Sequence, residues 1–504
     1  MTEKESIVPA RGLNKKIKSN DGKGKWGFAY AMKNITLKNQ CIETCTFPVE
    51  QTLTPVPSGQ CNGIWKGKIG GTTITLVAFG TTLYKYINGT LTSLYTSFHS
   101  SKTLDFTTFN DLLIMCNDSD KVTEYNGIAV TQTTFTEDGD SLWNDARPLG
   151  AEIFSNRIHY AVTVNNNPFD YTPRPGSHNN FDNSTSEVDI LSLSSGKGDV
   201  LKGLKTITKD LMAIYFDKSI KRLSGSQPFS DTAADPHRIR PISDDIGCVA
   251  KNAIISTGVD HFFLSNVGLQ SLITTDTYGD LKPSNVFDPI LIEISQYLKT
   301  ETFNSGAFAL WDEINQKIYV FLKRTNNKTV RYGYDVITGD IEKAEFTQNF
   351  TYGAMIDNKM WVGDDSGKLY VFNTPTFTNT DKEFETHWIY TKYGPGRLKH
   401  WTWLFLIVET DTSLANFNIK WKHFKNGAED SNWTTKTKTV PSGSVLGSFV
   451  IGTSKLGEPG RKLIKIKNLG KSNGIKLKFH NNTNGEHFRI IDAKLYSEPF
   501  GLVV

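Results

Sequence analysis

Gly70-Gly71-Thr72-Thr73 followed by ITLVAFGTTLYKYING (74–89) sets out the unit from which the middle of the chain is built. A turn of small or polar residues leads into an apolar run, then a second turn and a second run. The unit returns at Asn110-Asp111 before LLIMCNDSDKVTEYNG (112–127), at Ser155-Asn156 before RIHYAV (157–162), and at Lys209-Asp210 before LMAIYFDKSIKRLSG (211–225). It returns again at Gly258-Val259-Asp260 before HFFLSNVGLQSLIT (261–274), at Glu313-Ile314-Asn315 before QKIYVFL (316–322), and at Asp357-Asn358 before KMWVGDDSGKLYVF (359–372). A spacing of about 40 to 55 residues fits one four-stranded blade. The sequence therefore predicts an all-β chain whose centre is a β-propeller of six to seven degenerate blades. No Trp-Asp ending, kelch doublet or sialidase-type Asp box recurs in register, so the repeats are structural in character.

The composition agrees with strands joined by tight turns: 41 glycines and 12% aromatic residues within 504 residues. A chain of this length needs more than one core. The expected division is an extended arm over 1–25, leading strands over 26–61 that close the propeller, the propeller over 62–380, and a C-terminal β-sandwich over 381–504. The sandwich is read from NFNIKWKHF, RKLIKIKN, GIKLKFH and EHFRIIDAKLYSE, where apolar and basic residues alternate with period two. One segment breaks the β pattern. In PSNVFDPILIEISQYLKTETF (283–303), Asp288 suits an N-cap, Pro289 the first helical position, and Ile290, Leu291, Ile294 and Leu298 fall at helical spacing. One inserted amphipathic helix of about three turns is expected there.

Charge is divided along the chain. Lys and Arg against Asp and Glu number 9 and 5 over residues 1–60, 29 and 37 over 61–382, and 18 and 10 over 383–504. An acidic propeller thus lies between basic flanks, either as solvated faces or as surfaces that repel DNA and dock acidic neighbours. Lys420, Lys422, Lys465 and Lys467 are expected to form a basic docking face, with the aromatics largely on the opposite, apolar side. Direct DNA binding is the weaker reading of these lysines. The segment from Thr163 to Glu187 has little periodicity and reads as a contact or gate loop anchored by Phe169, Tyr171 and Phe181, with Asp138 and Asp140 in a second candidate loop.

No apolar stretch approaches the roughly 20 residues that span a bilayer, and no apolar run follows the N-terminal charges, so neither a membrane segment nor a secretory leader is expected. The five cysteines are sparse and unpaired in spacing, which points to free buried thiols. Asp235, His237, Arg238 and Asp244-Asp245 form the densest polar cluster, but adjacent strand carboxylates point to opposite faces and cannot serve one bond. Asp364-Asp365-Ser366-Gly367 lacks the later ligands of a calcium loop and reads as a β-turn. No cofactor, metal or catalytic constellation is expected.

ARPLGAEIFSNRIHYAV, NNPFDYTPRPGSHNNFD, LSLSSGKGDVLKGLKTITKDLMAIYFDKSIKRLSG and ISDDIGCVAKNAIISTGVDHFFLSNVGLQSLITTDTYGD resemble the propeller core of tail nozzle proteins of short-tailed bacteriophages, also called tail hub, tail tubular or tail stabilisation proteins. The shared elements are Asn156-Arg157-Ile158, Gly198-Asp199, Asp210-Leu211, Ile246-Gly247-Cys248 and Asn266-Val267-Gly268. The segment RKLIKIKNLGKSNGIKLKFHNNTNGEHFRIIDAKLYSE resembles that family's terminal sandwich. The resemblance implies a non-enzymatic virion protein of the tail, made in the host cytoplasm and assembled as a homohexameric ring. That ring would extend the DNA channel below the connector adaptor ring, contact other tail proteins or fibres, retain packaged DNA and pass it without specific binding. The alternatives are a carbohydrate-active propeller, glycosidase or lectin, with a glycan-binding sandwich, and a host-attachment or fibre-docking component of the same virion.

Overall fold

The computed structural model describes residues 3–7, 11–13, 28–38, 41–137, 146–182, 188–193, 198–227, 235–258, 260–274, 281–298, 306–324, 328–374, 381–390, 398–410, 414–440, 460–483 and 486–499. Each of the seven sequence repeats is one blade. The recurrent turn is in every case the hairpin between the first and second strands of its sheet, beginning with Cys61–Ile69 and Thr72–Phe79 and ending with Phe350–Ile356 and Lys359–Asp364. At four of these hairpins both central residues have positive φ: Gly70 and Gly71, Asn110 and Asp111, Ser155 and Asn156, Asp357 and Asn358. That is the requirement of a two-residue type I′ turn, and it explains why Gly, Asn and Asp crowd those positions.

Each strand alternates its side chains between the two neighbouring blades, which is what a radial stack of sheets demands. Along Leu211–Phe216, Met212, Ile214 and Phe216 pack towards the third blade with Phe154 and Leu201, while Ala213 and Tyr215 pack towards the fifth with Phe263 and Leu272. Equivalent apolar clusters lie between the other blades, so the propeller is held by a ring of small cores. Where the first strands crowd around the axis, glycine is needed: a Cβ on Gly63 would lie 2.7 Å from the Phe106 ring, and one on Gly353 would lie 2.8 Å from Phe308.

The seventh sheet takes its outer strand from the other end of the propeller. Phe47–Glu50 pairs antiparallel with Leu369–Thr374, so an early strand and a late hairpin close the ring. The strands before it go elsewhere. Ile35–Lys38 extends the sixth blade beyond Ile341–Phe346, Cys41–Thr44 follows it, and the sheet continues through Arg489–Pro499, Lys399–Thr410 and Gly460–Ser472. Phe28–Lys33 pairs with Lys382–Thr386 in the facing sheet, which runs on through Gly474–Asn481 and Leu414–Lys425. The sandwich is therefore not confined to residues 381–504. Both chain ends are woven into it, and Glu3–Ser6 adds a further strand along Lys494–Ser497.

One core joins the sandwich to the propeller, running from Leu264 and Val320 in the blades through Ile35 and Ile42 to Trp401, Ile419, Ile466 and Leu477. The inserted helix belongs to the same core. Asp288–Ile290 forms a single 3-10 turn and Leu291–Leu298 the α-helix, burying Ile290, Ile294 and Leu298 while Ile292 faces out. Each buried aliphatic contributes about 1.5–3 kcal/mol. Asp288 is not the cap: Phe287 precedes the turn without a side-chain capping bond. Glu293 instead anchors the helix, 2.7 Å from Lys343 and accepting from the Tyr332 hydroxyl at 3.0 Å.

Candidate interaction surfaces

The four lysines expected to form one docking face occupy two. Lys420 and Lys422 alternate with the buried Ile419, Trp421 and His423, whereas Lys465 and Lys467 alternate with the buried Ile464 and Ile466 on the facing sheet. Two sheets packed through those buried residues point the two lysine pairs away from one another. The physical reason is the strand order, which places the two lysine-bearing strands in different sheets.

The Lys420 face is nearly neutralised. Lys420 lies opposite Lys478 and Lys422 opposite Lys476, two like-charge cross-strand pairs that are unfavourable alone. Carboxylates offset them: Glu385 lies 2.5 Å from Lys476 and 2.8 Å from Lys478, Glu383 2.9 Å from Lys478, and Glu429 3.3 Å from Lys422. Burial pushes the Glu385 carboxyl up, but its bonds to Lys476 and Lys478 outweigh that and hold it below the ordinary carboxylate range. The Lys476 ammonium also lies 3.6 Å from the centre of the Tyr30 ring.

The Lys465 face also mixes lysines with aromatics, on different strands. One cross-strand row reads Lys467, Trp403, Tyr496, Lys4 and the next Lys465, Phe405, Lys494, Ser6. Trp403 and Phe405 stack with ring centres 5.6 Å apart and planes 23° apart, and Tyr496 meets Phe405 edge-on at 5.4 Å. Lys467 lies 4.7 Å over Trp403 and Lys465 5.6 Å over Phe405. Aromatics and lysines therefore share this face, a correction to their expected separation. A bulge carries the change: the register slips between Trp401 and Trp403, so Trp401 is buried while Trp403 turns outward. The signal available in the sequence was the alternation of Trp403, Phe405 and Ile407 with Leu404, Leu406 and Val408 in WTWLFLIV.

Phe169, Tyr171 and Phe181 are not surface anchors. Arg157–Val164 and Asn167–Thr172 form a hairpin through Asn165 and Asn166, both with positive φ, so the first part of the supposed loop, 163–172, belongs to a blade. Tyr171 and Phe181 are buried with Tyr160 and Phe135, and Phe169 packs against the same cluster. Asparagine-rich turns had hidden the strand. Asp138 and Asp140 lie outside the described residues.

The polar cluster near residue 240 divides likewise. His237 is buried and shares a 2.6 Å hydrogen bond with Asp189, pinning the edge of the fourth blade to the third. Asp244 and Asp245 are exposed in the turn after Arg238–Ser243. The Asp364 carboxylate accepts from the Ser366 and Lys368 amides, each at 2.9 Å, and so closes a β-turn. Among the described residues no group of three or more His, Cys, Asp or Glu is placed to hold a metal ion, and no helix is long and apolar enough to cross a membrane.

No family model and no curated protein matches the chain. Solved structures similar to it include the extracellular domain of a putative one component system from B. thetaiotaomicron, with 9% identity and TM-score 0.44 over 88% of this chain and 63% of that one. The extracellular domain of a putative hybrid two component system from the same organism has 11% identity and TM-score 0.41, over 83% of this chain and 58% of that one. The chain spans less than two thirds of the length of either extracellular domain. A mitotic checkpoint complex structure has 9% identity and TM-score 0.39, over 66% of this chain and 95% of that one. The fold assignment rests on the chain's own sheet topology.

Proposed function

We propose that this chain is a structural subunit of a short phage tail, a ring protein that extends the DNA channel below the connector, retains packaged DNA and passes it on ejection. The observation that carries the reading is the sequence resemblance of the third to fifth blades to tail nozzle proteins. The shared residues hold conformation-setting positions. Asn156 has positive φ in a blade hairpin, Asp199 accepts from the Ser219 hydroxyl at 2.6 Å, and a Cβ on Gly247 would lie 2.3 Å from the Phe216 carbonyl oxygen. The resemblance thus concerns architecture and assembly, with no reaction attached.

Charge division supports the same reading. An acidic propeller does not hold passing DNA, and the Lys465 face of the sandwich suits an acidic neighbour in the ring. A head-to-tail contact repeated about an axis closes into a ring when its rotation permits. Analytical ultracentrifugation of the chain with and without the isolated connector tests this reading. Six copies per connector, released by salt, are expected; a chain that stays monomeric beside the connector at low salt would overturn it.

The outward stack of Trp403 on Phe405 favours a second reading, a carbohydrate-active propeller with a glycan-binding sandwich. Glycan-array binding that vanished in Trp403→Ala would promote it.

A further inference from the structure

A cavity of about 400 Å³ opens where the chain enters the first strand of each blade, and its wall takes residues from all seven, from Gln60 at the first to Thr351 in the seventh. It therefore sits on the axis of the propeller. Four lysines line it, Lys102, Lys202, Lys251 and Lys323, against a single carboxylate, Asp118. Asp118 is already engaged, 3.1 Å from Lys102. The excess of positive charge is thus concentrated in a propeller that is acidic as a whole.

The lysines are placed in different ways. Lys251 is fixed: its ammonium donates to the Thr103 carbonyl at 2.6 Å and to the Leu149 carbonyl at 3.4 Å, and neighbouring Asn252 donates to the Thr103 hydroxyl at 2.8 Å. Burial lowers the pKa of Lys251 from its ordinary value, with Asp105 and Asp118 pulling the other way. Lys323 lies across Gly306, where a Cβ would come 2.2 Å from its Cε and 2.5 Å from its Nζ, so glycine makes room for this side chain in the cavity wall. Lys202 and Lys323 make no side-chain hydrogen bond or ion pair with the described residues. The four lysines are half-buried, and gathering like charges around one opening costs free energy that a bound anion would offset.

We propose that this axial cavity binds a small multivalent oxyanion, a phosphate ester or a polycarboxylate, held by Lys202, Lys251 and Lys323. The volume falls within the range of small-molecule sites, and a space of about a dozen waters excludes a nucleic-acid duplex. Lysine offers point charges where arginine would offer a planar fork, which suits an anion recognised by charge and size. The site lies on the axis of one subunit, so it is distinct from the lumen of any ring that the subunits form.

Isothermal titration of the full-length chain with pyrophosphate and, separately, with citrate tests the proposal. Saturable binding of at least one probe with one site per chain is expected. It should weaken at least about tenfold in Lys202→Ala/Lys323→Ala, where no structural bond is lost, and stay unchanged in the sandwich variant Lys436→Ala. A response to pyrophosphate alone identifies a phosphate ester and one to citrate alone a polycarboxylate. Absence of saturable binding by either probe at millimolar concentration, or equal binding by the double variant, would overturn the site. Unchanged thermal unfolding of the double variant without probe separates lost binding from lost fold.

Discussion

The Thr351 hydroxyl of the seventh blade donates to the Cys61 carbonyl of the first at 2.8 Å, across the seam where the propeller closes. Beside it, Gly363 leaves space that Cys61 fills, since a Cβ there would lie 2.3 Å from the Cys61 Cβ. Gly363→Ala should therefore force the seam apart and cost about 1–3 kcal/mol, and Thr351→Val about 1 kcal/mol. Urea unfolding of both variants checks this. Equal stability of Gly363→Ala and the parent would contradict a tightly packed seam.

The thiols give a second expectation. Cys45, Cys61, Cys116 and Cys248 are buried and Cys41 is half-buried. Burial pushes the Cys45, Cys61 and Cys248 thiols up to about 12. A thiol-specific reagent at neutral pH should modify Cys41 alone in the native chain and all five once it is unfolded. Rapid native labelling of Cys61 would show that the ring opens at its seam.

Acid should loosen the join between propeller and sandwich. Glu342 lies 2.6 Å from Lys317 and accepts from the Thr36 hydroxyl at 2.6 Å, tying the sixth blade to the strand Ile35–Lys38. Burial raises its pKa, but Lys317 and Arg331 overcome that and hold it below the ordinary value. A depressed carboxylate stabilises the fold above its unfolded pKa, and that stability is lost as pH falls through the folded value. Unfolding free energy should therefore be flat near neutrality and fall below about pH 4. Glu342→Gln should cost about 3–5 kcal/mol at neutral pH, because Lys317 is left buried without its carboxylate, and should flatten part of the acid slope.

The two lysine faces should behave differently. Lys465→Ala/Lys467→Ala removes charge from the aromatic face and should weaken association in a salt-dependent way. Lys476→Ala breaks a bonded pair with Glu385 and should chiefly lower stability. Light scattering across a salt series, read beside thermal unfolding, separates the two.

Much of this architecture is legible in the sequence because it is local. Asn110-Asp111 and Asp357-Asn358 announce their hairpins, and alternation along LMAIYF announces a strand packed on both sides. What lies beyond local pattern was not legible. Closure of the ring by a leading strand within 26–61 is expected from the sequence, but nothing there says that Phe47–Glu50 is the strand that pairs with Leu369–Thr374 while Phe28–Lys33 joins the sandwich, since those partners are set by pairings across most of the chain. The bulge at Trp401–Trp403 reverses strand parity, and the glycine that accompanies it, Gly470 with positive φ, lies on the partner strand, far along the chain. The axial lysines come from four separate stretches of chain, and only the closed ring brings them together.

The most direct test of the proposed function is a cryo-electron microscopy reconstruction of the particle that carries this chain. Six copies arranged about the axial channel of the tail, with the sandwich of each against its neighbours, are expected. A monomer, or a trimer at the particle's periphery with an open glycan-lined pocket, would contradict the account.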